Sequence, residues 1–151
     1  MQKKYFFVLF ISILLFLIGF FLLQRKPTSL KEQKITIRNH TFIVKVADTD
    51  SLREKGLSGR KNLSPDTGML FLFPQKGIYS FWMKGMLFPL DFIWIDGDTI
   101  VDLTQNVPPP LPSSSFPPTY APKTSVDTVL EVSAGTIVQD GIKNGDKVTI
   151  R

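Results

Sequence analysis

LDFIWIDGDTIVDLTQ, residues 90–105, reads as two strands joined by a tight turn. Leu90 to Ile95 and Thr99 to Gln105 are aromatic and β-branched runs, and Asp96-Gly97-Asp98 between them is turn chemistry. Phe92, Ile93, Trp94 and Ile95 leave neither face of the first run polar, which predicts a central strand covered on both sides. With Asp96 and Gly97 as the two loop residues of a hairpin, Ile95 pairs with Asp98, Ile93 with Ile100 and Asp91 with Asp102. That register sets two carboxylates opposite one another on neighbouring strands.

The same grammar extends in both directions. Gly68 to Phe73 and Tyr79 to Lys84 are further strand runs, punctuated by Pro74, Gly77, Gly85 and Pro89. Before them, Lys34 to Arg38 and Thr41 to Ala47 form a strand pair turning at Asn39-His40. Asp48 to Lys55 reads as a short helix, with Ser51 and Glu54 at capping-box spacing and Gly56 as its stop. Asn106 to Lys123 breaks the pattern: Pro108-Pro109-Pro110 and Pro112 favour an extended path without ladder donors, and Ser113 to Ser115 follow. Val126 to Val132 returns to strand, Gly135 to Asp140 forms a helical turn, and Lys147 to Arg151 is a last strand after an Asn144-Gly145 turn. The sum is a mainly β domain, a single β-sandwich or partly closed barrel with one or two short helices.

Ahead of this domain, Tyr5 to Leu23 is a 19-residue run in which only Ser12 and Gly19 are not hydrophobic. As a helix it is about 28 Å long, close to the hydrocarbon thickness of a bilayer. Phe20, Phe21, Leu22, Leu23 and Gln24 offer no small-x-small cleavage site. The expected organisation is a short tail over residues 1–4, a transmembrane anchor over 5–23, a basic linker over 24–34, and a globular domain over 35–151 with its Pro-rich loop at 106–123. Export of the C-terminal domain across the cell membrane is the expected topology, since a long folded domain translocates largely regardless of charge.

The formal charge of +5 belongs to the anchor. Lys3, Lys4, Arg25, Lys26, Lys31 and Lys34 face Glu32 alone in residues 1–34, whereas residues 35–151 carry 12 basic and 12 acidic side chains. A domain with balanced, dispersed charge lacks the cationic footprint of a nucleic-acid binder, so no nucleic acid partner is expected. Without Cys there are no disulfides or thiolate ligands, and one His excludes an imidazole zinc cluster. No metal or other cofactor is expected.

Gly56-Leu57, Arg60, Leu63, Gly68-Met69-Leu70-Phe71, Phe73, Ser80-Phe81-Trp82-Met83-Lys84, Pro89-Leu90-Asp91, Asn106-Val107-Pro108, Val129-Leu130-Glu131-Val132, Ala134-Gly135 and Gly145-Asp146 form a distinctive series. Across about residues 41–148 the chain resembles domain-of-unknown-function family 192. The resemblance implies a compact, mainly β domain of sandwich type, often preceded by a signal or membrane anchor, with no established activity. Gly85-Met86 stands where the family commonly has Asn-Thr, and the insertion at Pro109 to Pro118 is unusually proline-rich.

Four residues are the candidate ligand-binding set: Arg60, Trp82, Lys84 and Asp91. Strand alternation puts Phe81 and Met83 on one face and Trp82 and Lys84 on the other, so a buried first face leaves an aromatic–cation shelf on the second. Such a shelf suits a sugar ring or an anionic ligand. The alternative is an enzyme using Asp91 and Asp102 as paired carboxylates, one raised in pKa by the other, acting on an envelope glycan. His40 reads as a solvated turn residue, and no Gly-x-Ser-x-Gly elbow supports a serine nucleophile. The preferred expectation is a non-enzymatic, membrane-anchored binding module for an envelope protein or glycan.

Overall fold

The computed structural model describes residues 30–111 and 118–151, together with positions 13 and 16. The expected anchor at 5–23 and the linker up to residue 29 otherwise lie outside the described residues, as do positions 112–117 of the Pro-rich loop. Among the described residues no helix is long and apolar enough to cross a membrane.

Within described residues 30–111 and 118–151, nine strands and two short helices follow in order: β1 Glu32–Ile37, β2 His40–Ala47, α1 Asp50–Lys55, β3 Thr67–Gly77, β4 Phe81–Trp82, β5 Leu90–Asp96, β6 Thr99–Val107, β7 Thr119–Tyr120, β8 Val126–Ser133, α2 Thr136–Gln139 and β9 Val148–Ile150. Seven strands make one sheet in the order β6-β5-β8-β3-β2-β1-β9, while β4 and β7 pair separately. All pairings in the large sheet are antiparallel except β2 with β3, which α1 connects as a crossover. The sheet curls until its two edges touch at a single bridge, Thr99 to Lys147. Hydrogen bonds from the Ile100 amide to the Asp146 carbonyl (3.0 Å) and from the Val148 amide to the Asp98 carbonyl (2.8 Å) reinforce that contact. Of the two expected architectures, the partly closed barrel is therefore the one formed; the sandwich is not.

Curling gives the sheet an inside and an outside, and the sequence fills both. Inside pack Ile35, Phe42, Val44, Leu70, Ile93 and Leu130. Outside, Met69, Phe71, Phe92, Trp94 and Val129 are covered by Leu57 after α1 and by Met83 and Met86 from the segment between β4 and β5. Leu90 to Ile95 is buried throughout between β6 and β8, as the doubly apolar pattern predicts. Two apolar layers on one sheet explain how so short a chain buries this strand on both faces.

Several local expectations are corrected. The β5–β6 loop is Gly97-Asp98, because Asp96 pairs with Thr99. A bulge then follows between Trp94 and Ile95, so Asp102 sits opposite Trp94 and not Asp91. The β1–β2 turn falls one residue earlier than predicted, with Ile37 opposite His40 and Arg38 at φ +54°. Strand β1 begins inside the stretch assigned to the linker. The N-cap of α1 is Thr49, whose hydroxyl accepts from the Leu52 amide at 3.3 Å, and not Ser51. The run Tyr79 to Lys84 contracts to the two residues of β4, which pair with Thr119 and Tyr120 from the end of the Pro-rich segment.

Candidate functional site

Alternation in and just after β4 does what the sequence predicts. Phe81 turns inward, its ring centroid 4.9 Å from that of Phe71, 5.8 Å from Phe92 and 5.5 Å from Trp94. Met83 is buried beside it, and Trp82 faces out with 46% of its surface exposed. The Lys84 Nζ stands 5.0 Å from the Trp82 ring centroid, a cation–π distance.

The following turn is fixed by close backbone approach. The Gly59 amide donates to the Gly85 carbonyl at 2.9 Å, and Gly85 lies at φ +70°. A Cβ there would stand 2.2 Å from the Ser58 hydroxyl. Gly takes this left-handed conformation without strain and brings no Cβ toward Ser58.

Docking this turn against the end of α1 creates a cleft of about 460 Å³, lined by Ser51, Glu54, Lys55, Ser58, Trp82 and Lys84. That volume falls within the range of small-molecule sites. Its chemistry is mixed: two hydroxyls, two ammonium groups and one carboxylate surround an aromatic face. A small recess of about 30 Å³ shares Glu54, Lys55, Ser58, Trp82 and Lys84 with the cleft and continues down to Met86 and Glu131.

Glu131 is the residue that the sequence reading passed over. It lies on β8 opposite Met69 and Phe92, which directs it to the outer apolar layer beneath the β4–β5 segment. Only 5% of its surface is exposed. Burial alone pushes its carboxyl up to about 8, with no hydrogen bond or cation offsetting the lost hydration. Its signal in the sequence was a lone carboxylate inside Val129-Leu130-Glu131-Val132.

The four expected ligand residues are not gathered into one place. Trp82 and Lys84 share the cleft. Arg60 lines a neighbouring groove of about 330 Å³, formed with Leu52, Gly59 and Met69, that touches the cleft only through Lys55 and Ser58. Asp91 is fully buried away from any opening. One of its oxygens accepts from the Asn106 amide at 2.8 Å and the other from the Ile137 amide at 3.0 Å. Asp91 thus stabilises the bulge between β5 and β6 and caps α2, whose N-cap Gly135 has no side chain to do so.

The structure likewise does not join Asp102 to Asp91. Asp102 accepts from the Leu103 and Lys123 amides, each at 3.0 Å, and pairs with the Lys123 Nζ at 3.5 Å. It anchors the chain where β7 leads into β8. His40 is not a free turn residue: Nε2 lies 2.8 Å from Asp66 and Nδ1 3.4 Å from Asp140. The ring lies between these two carboxylates, at the junction of β2, the loop before β3 and the end of α2. Among the described residues no group of three His, Asp or Glu side chains is placed to hold a metal ion.

Two solved structures are similar. One, described as a candidate transcription regulator from Sinorhizobium meliloti 1021, has a TM-score of 0.74 and 31% identity over 82% of this chain and 97% of its own. The other, a protein of unknown function from Novosphingobium aromaticivorans DSM 12444, has a TM-score of 0.73 and 29% identity over 82% of this chain and 89% of its own. No curated protein matches the chain significantly. The sequence pattern of domain-of-unknown-function family 192, described as Uncharacterized ACR, matches residues 33–150, and the chain belongs to that family.

Proposed function

We propose that the protein is a membrane-tethered binding module whose ligand face is the cleft between α1 and the Trp82–Lys84 shelf. The observation that carries this reading is the exposed Trp82 beside the Lys84 ammonium at the lip of a cleft of about 460 Å³. An aromatic face ringed by hydroxyls and charges is the composition of a small-ligand site, in which the polar groups supply orientation. The paired-carboxylate enzyme is not favoured, because Asp91 and Asp102 are each occupied by separate backbone donors. The similar candidate transcription regulator does not alter the reading, since residues 35–151 carry equal numbers of acidic and basic side chains.

Tethering rests on the 19-residue apolar run at Tyr5 to Leu23 and its basic flanks. The cleft is tested by titrating Trp82 emission with small anions and sugars. Saturable quenching that disappears in Trp82→Phe supports it, and unchanged emission with every compound refutes it. The tether is tested with Lys61→Cys, the sole thiol in an otherwise Cys-free chain. Labelling by a membrane-impermeant maleimide in intact spheroplasts supports export, whereas protection until lysis places the domain on the inner side.

A further inference from the structure

The recess beneath the cleft contains a polar side chain with no assigned work. Glu131 is 95% buried and aimed into a space of about 30 Å³, enough for one water-sized group. Among the described residues, no hydrogen-bond donor or cation contacts its carboxyl. Buried polar groups are almost always satisfied by protein or by water, and the Glu131 carboxyl, without a protein partner, is left to whatever occupies the recess. A Leu or Val would fill this place in the outer layer without needing a partner.

The lining selects the partner. A phosphate or carboxylate ligand would meet the Glu54 carboxylate at the wall. An amine would meet Lys55 and Lys84. A neutral polyhydroxyl ring meets both sets favourably, because each hydroxyl donates one hydrogen bond and accepts others. The Ser51 and Ser58 hydroxyls extend the same mixed pattern, and the exposed Trp82 face offers a stacking platform.

We propose that the Trp82 cleft is a saccharide site in which a sugar ring lies on Trp82 and one ring hydroxyl enters the recess to hydrogen-bond the Glu131 carboxyl. This rests on the cleft being the binding face, and it adds the ligand class and the floor residue. Burial keeps Glu131 protonated at neutral pH, so its O–H donates to the hydroxyl while its carbonyl oxygen accepts.

The experiment titrates the full chain, held in a polyoxyethylene detergent free of sugar, with maltose, cellobiose and N,N′-diacetylchitobiose, and in parallel with inorganic phosphate. At least one disaccharide is expected to quench Trp82 emission saturably, with the quench abolished in Trp82→Phe. Glu131→Leu is expected to raise that Kd about tenfold or more with near-UV circular dichroism unchanged, while Glu131→Gln, which keeps a donor and an acceptor, raises it only about two- to threefold. Quenching by phosphate and by none of the disaccharides overturns the saccharide assignment and leaves the cleft standing. Disaccharide binding with the same Kd in Glu131→Leu overturns the role of Glu131. Absence of quenching by any of the four overturns both.

Discussion

The Asp91 carboxylate accepts a hydrogen bond from the Ile137 amide at 3.0 Å, joining the first turn of α2 to the start of β5 across 46 residues of sequence. Its second oxygen takes the Asn106 amide at 2.8 Å. Asp91→Ala removes a charged acceptor from two buried donors, each such bond contributing about 1.5–3 kcal/mol, so a loss of about 3–5 kcal/mol is expected. Asp91→Asn keeps one acceptor oxygen and loses about half as much. Urea unfolding midpoints of the two variants check this, and a loss below about 1 kcal/mol in Asp91→Ala would show the amides re-satisfied by water.

Glu131 makes stability fall with rising pH. Its folded carboxyl titrates near 8, against an ordinary value of 4.5. Between those values the folded state holds a proton that the unfolded state has released, so the destabilisation is absent below about pH 4.5 and complete above about pH 8. The full span corresponds to an upper bound on the order of 5 kcal/mol. Arg53, Glu54, Lys55 and Lys84 line the same recess, and none of them offsets the burial of the carboxyl. Glu131→Gln should flatten the decline between pH 5 and 8, measured by chemical unfolding across that range. An equal slope in the variant would assign it to other groups.

The two tryptophans report on opposite environments. Trp94 is fully buried and its indole N–H donates to the Thr104 hydroxyl at 2.9 Å, whereas Trp82 is half exposed. Trp82→Phe should leave a single blue-shifted emission and change stability by no more than about 0.5 kcal/mol. Trp94→Phe should leave the red-shifted component and cost about 2–3 kcal/mol through the cavity and the unpaired hydroxyl. Emission maxima and unfolding midpoints of both variants decide the matter together.

Two glycines differ in what an added methyl would meet. At Gly68 it would stand 2.6 Å from the Glu131 carbonyl, a backbone atom in the neighbouring strand, so Gly68→Ala should destabilise by about 3 kcal/mol or more, with no single partner change able to rescue it. At Gly85 the obstacle is the Ser58 hydroxyl, and Gly85→Ala should cost about 1–3 kcal/mol. Adding Ser58→Ala should recover part of that loss, leaving the strain of φ +70°. A double variant no better than Gly85→Ala would assign the whole cost to the backbone.

Much of the architecture was legible because apolar patterning is local. Phe92 to Ile95 announced a strand buried on both faces, and Phe81 to Lys84 announced which side chains turn out. Register was not legible. The Gly97 amide is held by the Asp127 carboxylate at 3.2 Å, a contact from β8 that a local reading of the Asp-Gly-Asp turn does not contain. That displacement, with the bulge after Trp94, separated the two carboxylates expected to face each other. The cleft was half legible: Trp82 and Lys84 were found by alternation, but Ser51, Glu54 and Lys55 reach it only because α1 docks against the turn at Gly85, a tertiary contact that no local pattern contains. Glu131 joins them only because the outer layer folds over β8.

The pairing of β1 with β9 governs when this domain becomes complete. The Lys34 amide donates to the Arg151 carbonyl and the Arg151 amide to the Lys34 carbonyl, both at 2.9 Å, so the earliest strand is stitched to the latest. A growing or translocating chain lacks β9 until residues 148–150 are released, and until then one edge of β1 has no neighbour and the bridge at Thr99 cannot form. Contacts of such long sequence separation make assembly slow. Until β9 is in place the open edge of β1 can pair with another chain, so the completeness of this one short strand also decides how long the domain is exposed to edge-to-edge association.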